Sequence, residues 1–596
     1  MMWNVCFIAS ILVLVLALLY IGIGRKKNRR RGMLTPYHTI FFGVFLAVYI
    51  GLIPVFALRL EEESAFLLKL FAFNILQTIQ VFTVNVGGDF IMDHINGKTT
   101  GIHEAYSAYM TCLFFIAPIL TFSFLVSLFK NILPEFFYKI NMGKKVFIFS
   151  DLSERSLVLA KSMKEREKSS LIVFTNVDEE EMEGSGACID TSKELKAIIF
   201  QKDITIPDFG KHGKKAELVF FLMKENEGDN LIHALKILEK YNQRKNTGLY
   251  VFSSGPEGEL LLNRADRGEV KVRRVNEIRS LIYRFLYEEG TRLFTSAYQE
   301  TGGMKEINVI IAGLGKYGTE MMKALTWYSQ MDGYRINIHA FDQDELAEEM
   351  FAAECPELMS EKYNGTDLPG EGRYRIRIHS GIDVRTKVFA DHISNLSKTT
   401  FVFISLGDDV LNIAQAARIR MLCERVKCKP VIKTIVYSTD QREALEGITN
   451  YRDQQYEIEA IGDWESAYSR EVILGDQLEK LALERHLKWG NEEEFWKYEY
   501  NYRSSMALAI HLKARIACGI PGADKSEKDL TLKERDIIEV LEHRRWNTYM
   551  RSEGYVYSGS REKSSRNDLA KMHHDLVGFE LLSEEDKRKD SIVGTE

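Results

Sequence analysis

The sequence predicts an α-helical transmembrane domain, two doubly wound parallel α/β sheets and a small, mainly helical C-terminal domain. Long uncharged segments fill the N-terminal part, a strand-then-helix alternation runs twice through the middle, and aromatic, arginine and histidine residues are frequent towards the C-terminus. Such alternation is typical of a parallel, doubly wound sheet, and 596 residues leave room for about four domains. The boundaries that we expect are 1–143, 144–300, 301–490 and 491–596.

Residues 5–23 form the first predicted membrane span, because they are uncharged and long enough to cross a hydrocarbon core. A basic cluster follows at 25–31 and no basic segment precedes the span, which argues against a cleaved signal peptide and places the cluster in the cytoplasm. Further spans are predicted at 38–58 and 107–129. We therefore expect a multi-pass protein of the plasma membrane, the inner membrane in a bacterium, with its soluble domains in the cytoplasm.

The segment 65–87 is apolar enough to enter the lipid bilayer but also carries polar side chains, at Lys69, Asn74, Gln77, Gln80 and Asn85. If it spanned, either the basic cluster or the α/β domains would lie outside the cell. We interpret it as a re-entrant or pore-lining helix, since polar groups at membrane depth lie inside protein or beside water.

The turn T-V-N-V-G-G-D at 83–89 follows that helix. It resembles a potassium-channel selectivity filter, in which backbone carbonyl groups replace the water around the ion, but it has one residue more and one glycine fewer. Three alternatives remain: a potassium filter, a less selective pore, or a packed anchor whose glycines only end a helix. The candidate pore residues are Thr83, Asn85, Gly87, Gly88 and Asp89.

A dinucleotide-type phosphate loop opens the second α/β half. The hexapeptide G-L-G-K-Y-G at 313–318 follows a predicted buried strand, and its glycines would let a pyrophosphate approach the backbone at the start of a helix. The next predicted strand, 335–341, ends at an acidic residue where a ribose-binding carboxylate is expected, roughly 20 residues on. The alternative is a Rossmann-like fold in which the glycines only close a turn. The predicted cofactor, NAD or another adenine nucleotide, would contact Gly313, Gly315, Gly318 and Asp342.

The first α/β half lacks this loop. Its corresponding turn, S-D-L-S-E-R-S at 150–156, contains no glycine. Asp151 and Glu154 would cap the following helix well but would repel phosphates. We interpret this half as structural, or as a site for something other than a pyrophosphate. In the second half, helices are expected at about 316–329, 408–425 and 466–487.

Tandem Rossmann-like domains directly after a pore-like membrane segment resemble the RCK (regulator of potassium conductance) domains of channels and transporters. The resemblance covers about 145–487 by pattern, and by motif it depends on the glycine loop, Asp342 and the turn S-L-G-D-D at 405–409. It implies paired domains that assemble into a ring, with a homotetramer favoured. Expansion of the ring would pull on the membrane helices through the short link 130–143.

The C-terminal segment resembles the RyR domain, named for repeats in ryanodine receptors, over about 536–590. The resemblance depends on the motifs L-E-H-R-R-W at 541–546, G-Y-V-Y at 554–557 and the run 571–582, with Gly578 where the family commonly has proline. It implies a sensor of a nucleotide or oligonucleotide second messenger, often found beside nucleotide-signal immunity systems.

The residues of this segment also suit such a ligand, because aromatic rings stack bases and arginines bind phosphates. The alternative is that the tryptophan and histidine belong to the core face of a helix. The candidate ligand-binding residues are His543, Arg545, Trp546, Tyr555 and Tyr557.

Composition and spacing exclude several classes of function. A net charge of −6 argues against a general nucleic-acid coat, and the seven cysteines form no CxxC pair, so no metal site is implied. No acid–base pair or nucleophile has convincing catalytic spacing. We therefore expect a ligand-gated membrane effector rather than an enzyme, an ion channel opened by a nucleotide-type signal with a role in antiviral defence. The alternatives are a nucleotide-sensing regulatory subunit of a transporter and a membrane-tethered NAD-dependent oxidoreductase.

Overall fold

The computed structural model describes ten stretches of the chain, and they form two compact units, Met1–Ile140 and Asn141–Glu596. The described residues are 2–27, 36–60, 66–83, 101–141, 143–177, 186–213, 215–299, 303–359, 373–474 and 476–593.

The described part of the first unit is helical, and three of its helices are long and apolar enough to cross a membrane. The helices are α1 (Met2–Lys27), α2 (Pro36–Leu60), α3 (Phe66–Phe82) and α4 (Gly101–Ile140). The membrane-length segments are Met2–Tyr20, Thr39–Ala57 and Ile102–Phe122, which agrees with the three predicted spans. The shorter α3 has 17 residues, and its re-entrant or pore-lining role stays a prediction.

Side-chain hydrogen bonds to backbone carbonyl groups connect the membrane-type helices. The Ser10 hydroxyl in α1 donates to the Ala47 carbonyl of α2, and the Tyr106 hydroxyl in α4 donates to the Gly51 carbonyl of α2. In α3 the Asn74 amide donates to the Tyr49 carbonyl at 2.7 Å. These donors are thus satisfied inside the bundle, as an apolar surrounding requires, whereas the Asn74 Oδ1 is buried without a hydrogen-bond partner. Of the candidate pore residues, Thr83 directly follows α3, and Asn85, Gly87, Gly88 and Asp89 lie outside the described residues.

The second unit contains two parallel α/β sheets with the same strand order. The first sheet is ordered β3-β2-β1-β4-β5-β6. Its strands are β1 (Val146–Phe149), β2 (Leu171–Phe174), β3 (Ile198–Ile199), β4 (Leu218–Leu222), β5 (Thr247–Phe252) and β6 (Val270–Val275). The second sheet is ordered β10-β9-β8-β11-β12-β13, and β7 pairs antiparallel with β8. Its strands are β7 (Tyr298–Gln299), β8 (Lys305–Ala312), β9 (Tyr334–Phe341), β10 (Tyr374–His379), β11 (Phe401–Ile404), β12 (Val431–Ile435) and β13 (Ile458–Ile461). Both orders are those of dinucleotide-binding α/β folds.

Helices connect the strands of both sheets. In the first half they are α5 (Glu154–Arg166), α6 (Gly186–Glu194), α7 (Glu227–Tyr241), α8 (Pro256–Arg264), α9 (Glu277–Glu289) and α10 (Thr291–Thr295). In the second half they are α11 (Lys316–Tyr328), α12 (Ala347–Glu354), α13 (Lys387–Asn395), α14 (Asp409–Arg425), α15 (Thr439–Glu446), α16 (Trp464–Ala467), α17 (Arg470–Leu474) and α18 (Asp476–His486). The single helix expected over 466–487 is thus broken into segments, one break falling at Ser469, whose hydroxyl accepts from the Val472 N–H.

The duplication extends to individual side chains. Asn230 in α7 bonds the backbone at Lys224 and Phe252, and Asn412 in α14 bonds the backbone at Leu406 and Ile435 in the same way. Each amide ties the end of the fourth strand of its sheet to the end of the fifth. The two sheets therefore share this hydrogen-bonded link between neighbouring strand ends as well as their strand order.

The C-terminal segment is mainly helical and packs on both sheets. Its elements are α19 (Glu492–Lys497), α20 (Glu499–Ala517), α21 (Leu532–Ser552), β14 (Val556–Tyr557), β15 (Met572–His573) and α22 (Glu584–Val593). Tyr283 in α9, Trp327 in α11 and Tyr549 in α21 meet edge to face, with ring centroids 5.6 and 6.1 Å apart. One hydrophobic core therefore passes through all three parts.

A largely buried ion network reinforces this junction. Arg279 of the first half pairs with Glu320 of α11 at 2.6 Å and with Glu553 of the C-terminal segment at 3.0 Å. Arg503 of α20 pairs with Glu553 at 3.0 Å and with Glu259 of α8 at 2.8 Å. The Arg279, Glu320 and Glu553 side chains keep only 12–13% of their surface exposed, so each charge depends on its partners rather than on water.

The first prediction concerns this network. Arg279→Met leaves Glu320 and Glu553 without a shared cation, and removal of one partner of a buried ion pair costs about 3–5 kcal/mol. We expect a clear fall in melting temperature of the full-length protein in detergent, measured by scanning fluorimetry. Arg292→Met is the matched control, because Arg292 is 45% exposed where it pairs with Glu459, and such pairs contribute about 0–1 kcal/mol. Equal effects of the two variants would contradict the prediction.

A second prediction concerns pH. Burial alone would raise the pKa of the Glu553 carboxyl, but Arg279 and Arg503 outweigh it and hold that pKa at about 2. Because the folded-state pKa lies below the unfolded value, this carboxylate stabilises the fold above about pH 4.5, and its contribution is lost as the pH falls towards 2. Melting temperatures of the native protein and of Glu553→Gln should differ most near neutral pH, and the difference should shrink as the pH falls from about 4.5 towards 2. A difference that stays constant over this range would show that ionisation of Glu553 is not what stabilises the junction.

Candidate functional site

A cavity of about 450 Å³ lies at the carboxyl ends of β8, β9, β11 and β12. Its position is the point of the second sheet where the strand order reverses between β8 and β11, which is where open α/β sheets bind ligands. A volume of this size is in the range of small-molecule sites. The lining residues used below are Gly313, Gly315, Lys316, Tyr317, Asp342, Ser405 and Tyr437. We call this cavity the second-domain cleft.

Gly313 makes the sharp turn out of β8. Its φ is +91°, a left-handed conformation that side chains rarely adopt, and a Cβ at this position would lie 2.3 Å from the Ser405 carbonyl oxygen. Ser405 in turn donates its hydroxyl to the Gly313 carbonyl at 3.2 Å. Only glycine therefore lets the loop pass this close to the end of β11.

The other two glycines of the loop have different roles. A Cβ on Gly318 would lie 1.9 Å from the Gly313 carbonyl oxygen, so this glycine lets α11 pack against the loop. A Cβ on Gly315 would meet nothing within 4 Å. The protein itself thus gives no steric reason for glycine at 315. The free space is what the close approach of a phosphate to this backbone would use.

The start of α11 is open to an anion. Gly315 occupies the N-cap position, no side chain bonds to the cap, and the first turn contains no acidic residue. The helix N-terminus presents backbone N–H donors and the positive end of the helix dipole towards the second-domain cleft. This arrangement favours binding of a phosphate group there.

Asp342 lies at the end of β9, across the second-domain cleft from the glycine loop. Its Oδ2 accepts the Leu314 N–H at 2.6 Å, and its Oδ1 accepts the Asp344 N–H at 2.8 Å. The carboxylate therefore holds the phosphate loop in place. Each oxygen also has a second lone pair, so the same carboxylate has the capacity to accept a ribose hydroxyl.

Lys316 joins the second-domain cleft to the first α/β half. Its ammonium group lies 3.3 Å from Glu227 Oε1 and 3.2 Å from the Ser254 hydroxyl. Glu227 also accepts the Ser254 N–H at 2.6 Å. Burial opposes ionisation of Glu227, but hydrogen bonds from Ser254 and Lys316 outweigh it and lower the pKa of this carboxyl. The carboxyl edges of the two sheets therefore meet beside the loop.

At the equivalent edge of the first sheet, side chains from both α/β halves pack together. Ser153 caps α5 and forms a reciprocal capping box with Ser156. Arg155 lies 5.9 Å from the ring of Tyr468, and Tyr468 stacks on Phe252. These groups occupy the place that corresponds to the second-domain cleft.

Asp151 lies at the end of the first strand of this closed edge. Burial raises the pKa of its carboxyl to about 6, an environment that disfavours further negative charge. The role of this half as structural, or as a site for a different ligand, stays a prediction.

The charged candidates in the C-terminal segment are engaged with protein groups. Arg545 is 1% exposed and pairs with Glu542 at 2.7 Å, and Arg515 pairs with the other oxygen of the same carboxylate. His543 donates from Nε2 to the Val577 carbonyl at 2.8 Å and contacts Asp590 through Nδ1. These side chains therefore hold α21 to its neighbours, and phosphate contacts by them stay a prediction.

The aromatic candidates lie together but are only half-buried. The Trp546 ring meets His573 edge to face at 5.0 Å, and Tyr555 lies 6.3 Å from Tyr500. The Tyr557 N–H donates to Glu357 of the second half. Packing accounts for all of these contacts, which favours the core alternative for Trp546, and a base-stacking role stays a prediction.

Sequence reasoning missed several residues around the second-domain cleft. Tyr437 closes it from β12 and meets the Tyr317 ring at 6.1 Å, while Arg385 and Asp383 line its outer edge. None of them belongs to a motif. The only signal available was for Tyr437, which directly follows the predicted strand 430–436, where side chains reach the carboxyl edge of the sheet.

Comparisons with known proteins add little to this geometry. No protein-family model matches the chain, and no curated protein sequence matches it. Among solved structures it is similar to a dipicolinate synthase from Bacillus halodurans, with 12% identity, coverage of 56% of this chain and 97% of that chain, and a TM-score of 0.19. A TM-score this low carries no argument about function, so the site depends on the strand order and glycine geometry of the chain itself.

The third prediction separates the roles of the glycines. Gly315→Asp supplies a capping side chain to α11 and so preserves or raises the melting temperature of the ligand-free protein. It also places a negative charge where a phosphate would bind, and stabilisation by NAD should disappear. For the native protein, a ligand at 100 times its Kd adds about 2.7 kcal/mol. Gly318→Ala is the contrasting variant, expected to lower the melting temperature without ligand. Retained stabilisation by NAD in Gly315→Asp would contradict this assignment.

Proposed function

We propose that this protein is a ligand-gated membrane effector whose second-domain cleft binds NAD or another adenine nucleotide. One observation carries the proposal: a chain with three membrane-length helices also has a cleft of about 450 Å³ at the switch point of a parallel sheet. Three features of this cleft favour a dinucleotide, namely a left-handed Gly313, unobstructed space at Gly315 and an uncapped helix N-terminus.

The energetic requirement for gating is small. A ligand that binds one state of the protein ten times more tightly than the other shifts the equilibrium by about 1.4 kcal/mol per site. In a homotetramer, the assembly that we propose, four such terms add. One cleft per subunit, with a tenfold preference for one of two arrangements of the α/β domains, is therefore sufficient to change the state of the membrane helices.

We propose that the response is the opening of an ion channel in the plasma membrane, with the α/β domains in the cytoplasm. The resemblance of the α/β tandem to RCK domains and the polar side chains of α3 support this part. The resemblance of the C-terminal segment to RyR domains supports a nucleotide or oligonucleotide second messenger as a further ligand, and with it a role in antiviral defence. We propose that the second-domain cleft binds its ligand without turnover.

The fourth prediction tests the function directly. Full-length protein reconstituted into liposomes should show ion flux that rises at least tenfold when NAD or another adenine nucleotide is added on the side of the soluble domains. Gly315→Asp should insert equally well but lose this response, because its cleft repels phosphate. A flux that is the same with and without nucleotide, from protein shown by melting temperature to bind the nucleotide, would refute gating while leaving the binding site intact.

A further inference from the structure

A cluster of metal-ligating side chains lies in the C-terminal segment, away from the second-domain cleft. His573, His574 and Asp575 each offer one ligand atom, and these atoms all lie within 4.8 Å of one another. Among the described residues no other group of three or more His, Cys, Asp or Glu side chains meets this condition. We propose that these three residues bind a divalent transition-metal ion, with zinc as the best fit to two imidazoles and one carboxylate.

The donor set has the chemistry that this class of ion requires. Imidazole nitrogens and a carboxylate oxygen are preferred by zinc and related first-row ions, and three protein ligands leave a fourth position for water.

An unsatisfied nitrogen is the second, independent observation. His574 is 7% exposed, and its Nδ1 is buried without a hydrogen-bond partner. Its other nitrogen, Nε2, lies 3.3 Å from Asp575 Oδ2. A buried polar atom without a partner costs free energy, and no group of the described chain satisfies this nitrogen. A metal ion attracted by the Asp575 carboxylate would give this nitrogen a partner and remove that cost in free energy.

Binding requires a limited local movement. The His573 and His574 rings stack at 4.7 Å with an interplanar angle of 9°, so one ring has to turn before both point at a common ion. We assign the turn to His574, because its Nδ1 forms no hydrogen bond and its Nε2 already contacts the proposed ligand Asp575, whereas His573 Nδ1 accepts the Asp575 N–H at 3.1 Å. In a tetrahedral zinc site the ligand atoms lie roughly 3.4 Å apart, so the cluster contracts by about 1.4 Å at most.

The position of the cluster explains what a metal would do for the fold. The chain leaves β15 at His573 and, three residues later, buries Leu576 in the core. The stretch 558–583, which includes the cluster, contains little regular structure. Small, irregular segments gain much of their stability from structural metals when their cores are small. A bound ion would fix the crossing of this strand over α21.

The charges around the cluster are mixed rather than uniformly favourable. Arg566 acts on His573, and Lys589 acts on Asp575, both as cations. Asp586 acts on both as an anion. Because cations and an anion both act on the cluster, the proposal depends on coordination bonds rather than on long-range attraction.

The fifth prediction tests the site with cobalt as the probe. Full-length protein, purified in detergent without a polyhistidine tag and stripped with a chelator, should bind one Co²⁺ per chain with the visible absorption of a low-coordinate cobalt site. Zn²⁺ should abolish this absorption by displacement. Asp575→Asn, which keeps shape but removes the carboxylate charge, and His574→Ala should each weaken Co²⁺ binding at least tenfold.

His339→Ala is the matched control, because it removes an imidazole from another close pair, with His339 Nδ1 3.1 Å from His379 Nε2. It should leave cobalt binding unchanged. Added Zn²⁺ should raise the melting temperature of the native protein but not of Asp575→Asn, a readout that detects the site even if His574→Ala folds poorly. Three results would overturn the proposal: no visible absorption in the native protein, absorption that survives in Asp575→Asn, or absorption that disappears in His339→Ala.

Discussion

The second unit, Asn141–Glu596, depends on a junction where a few largely buried charges and three aromatic rings join its parts. Arg279 draws together Glu320 and Glu553, and the Tyr283, Trp327 and Tyr549 rings pack beside them. Desolvated ions tolerate little separation, because a charge that loses its partner cannot regain water without opening the interface. These contacts therefore join the two α/β halves and the C-terminal segment at one junction.

Local features of the fold were predictable from sequence because they depend on residue patterns within short segments. Buried strand runs identified the strands of both sheets, and the spacing of Gly313, Gly315 and Gly318 located the phosphate loop. The structure places these glycines with Asp342 at one edge of the sheet. Long-range partners were not predictable. Nothing in the sequence around Lys316 reveals that its ammonium group meets Glu227, since that contact depends on how two separately folded sheets face each other.

In the C-terminal segment, too, the long-range partners of the candidate binding residues were not predictable from sequence. Composition predicted a pocket of aromatic and basic groups, yet Arg545 directs its charge to Glu542, which it shares with Arg515 from α20. An arginine in a sequence has no visible partner, so a structural ion pair and a phosphate contact look alike until the fold is known. The adjacent histidines at 573 and 574 show a related limit, because two neighbouring histidines in a sequence do not reveal whether their side chains meet a carboxylate.

The closed edge of the first sheet has a consequence for the number of ligand molecules that each chain binds. Ser153 and Arg155 fill one copy of a duplicated fold, while Gly315 leaves the other copy open. For the dinucleotide that we propose as the ligand, this asymmetry gives one binding cleft per polypeptide instead of two. Any cooperativity in dinucleotide binding then has to arise between subunits, and a Hill coefficient above one would report on the quaternary structure and not on crosstalk within a single chain.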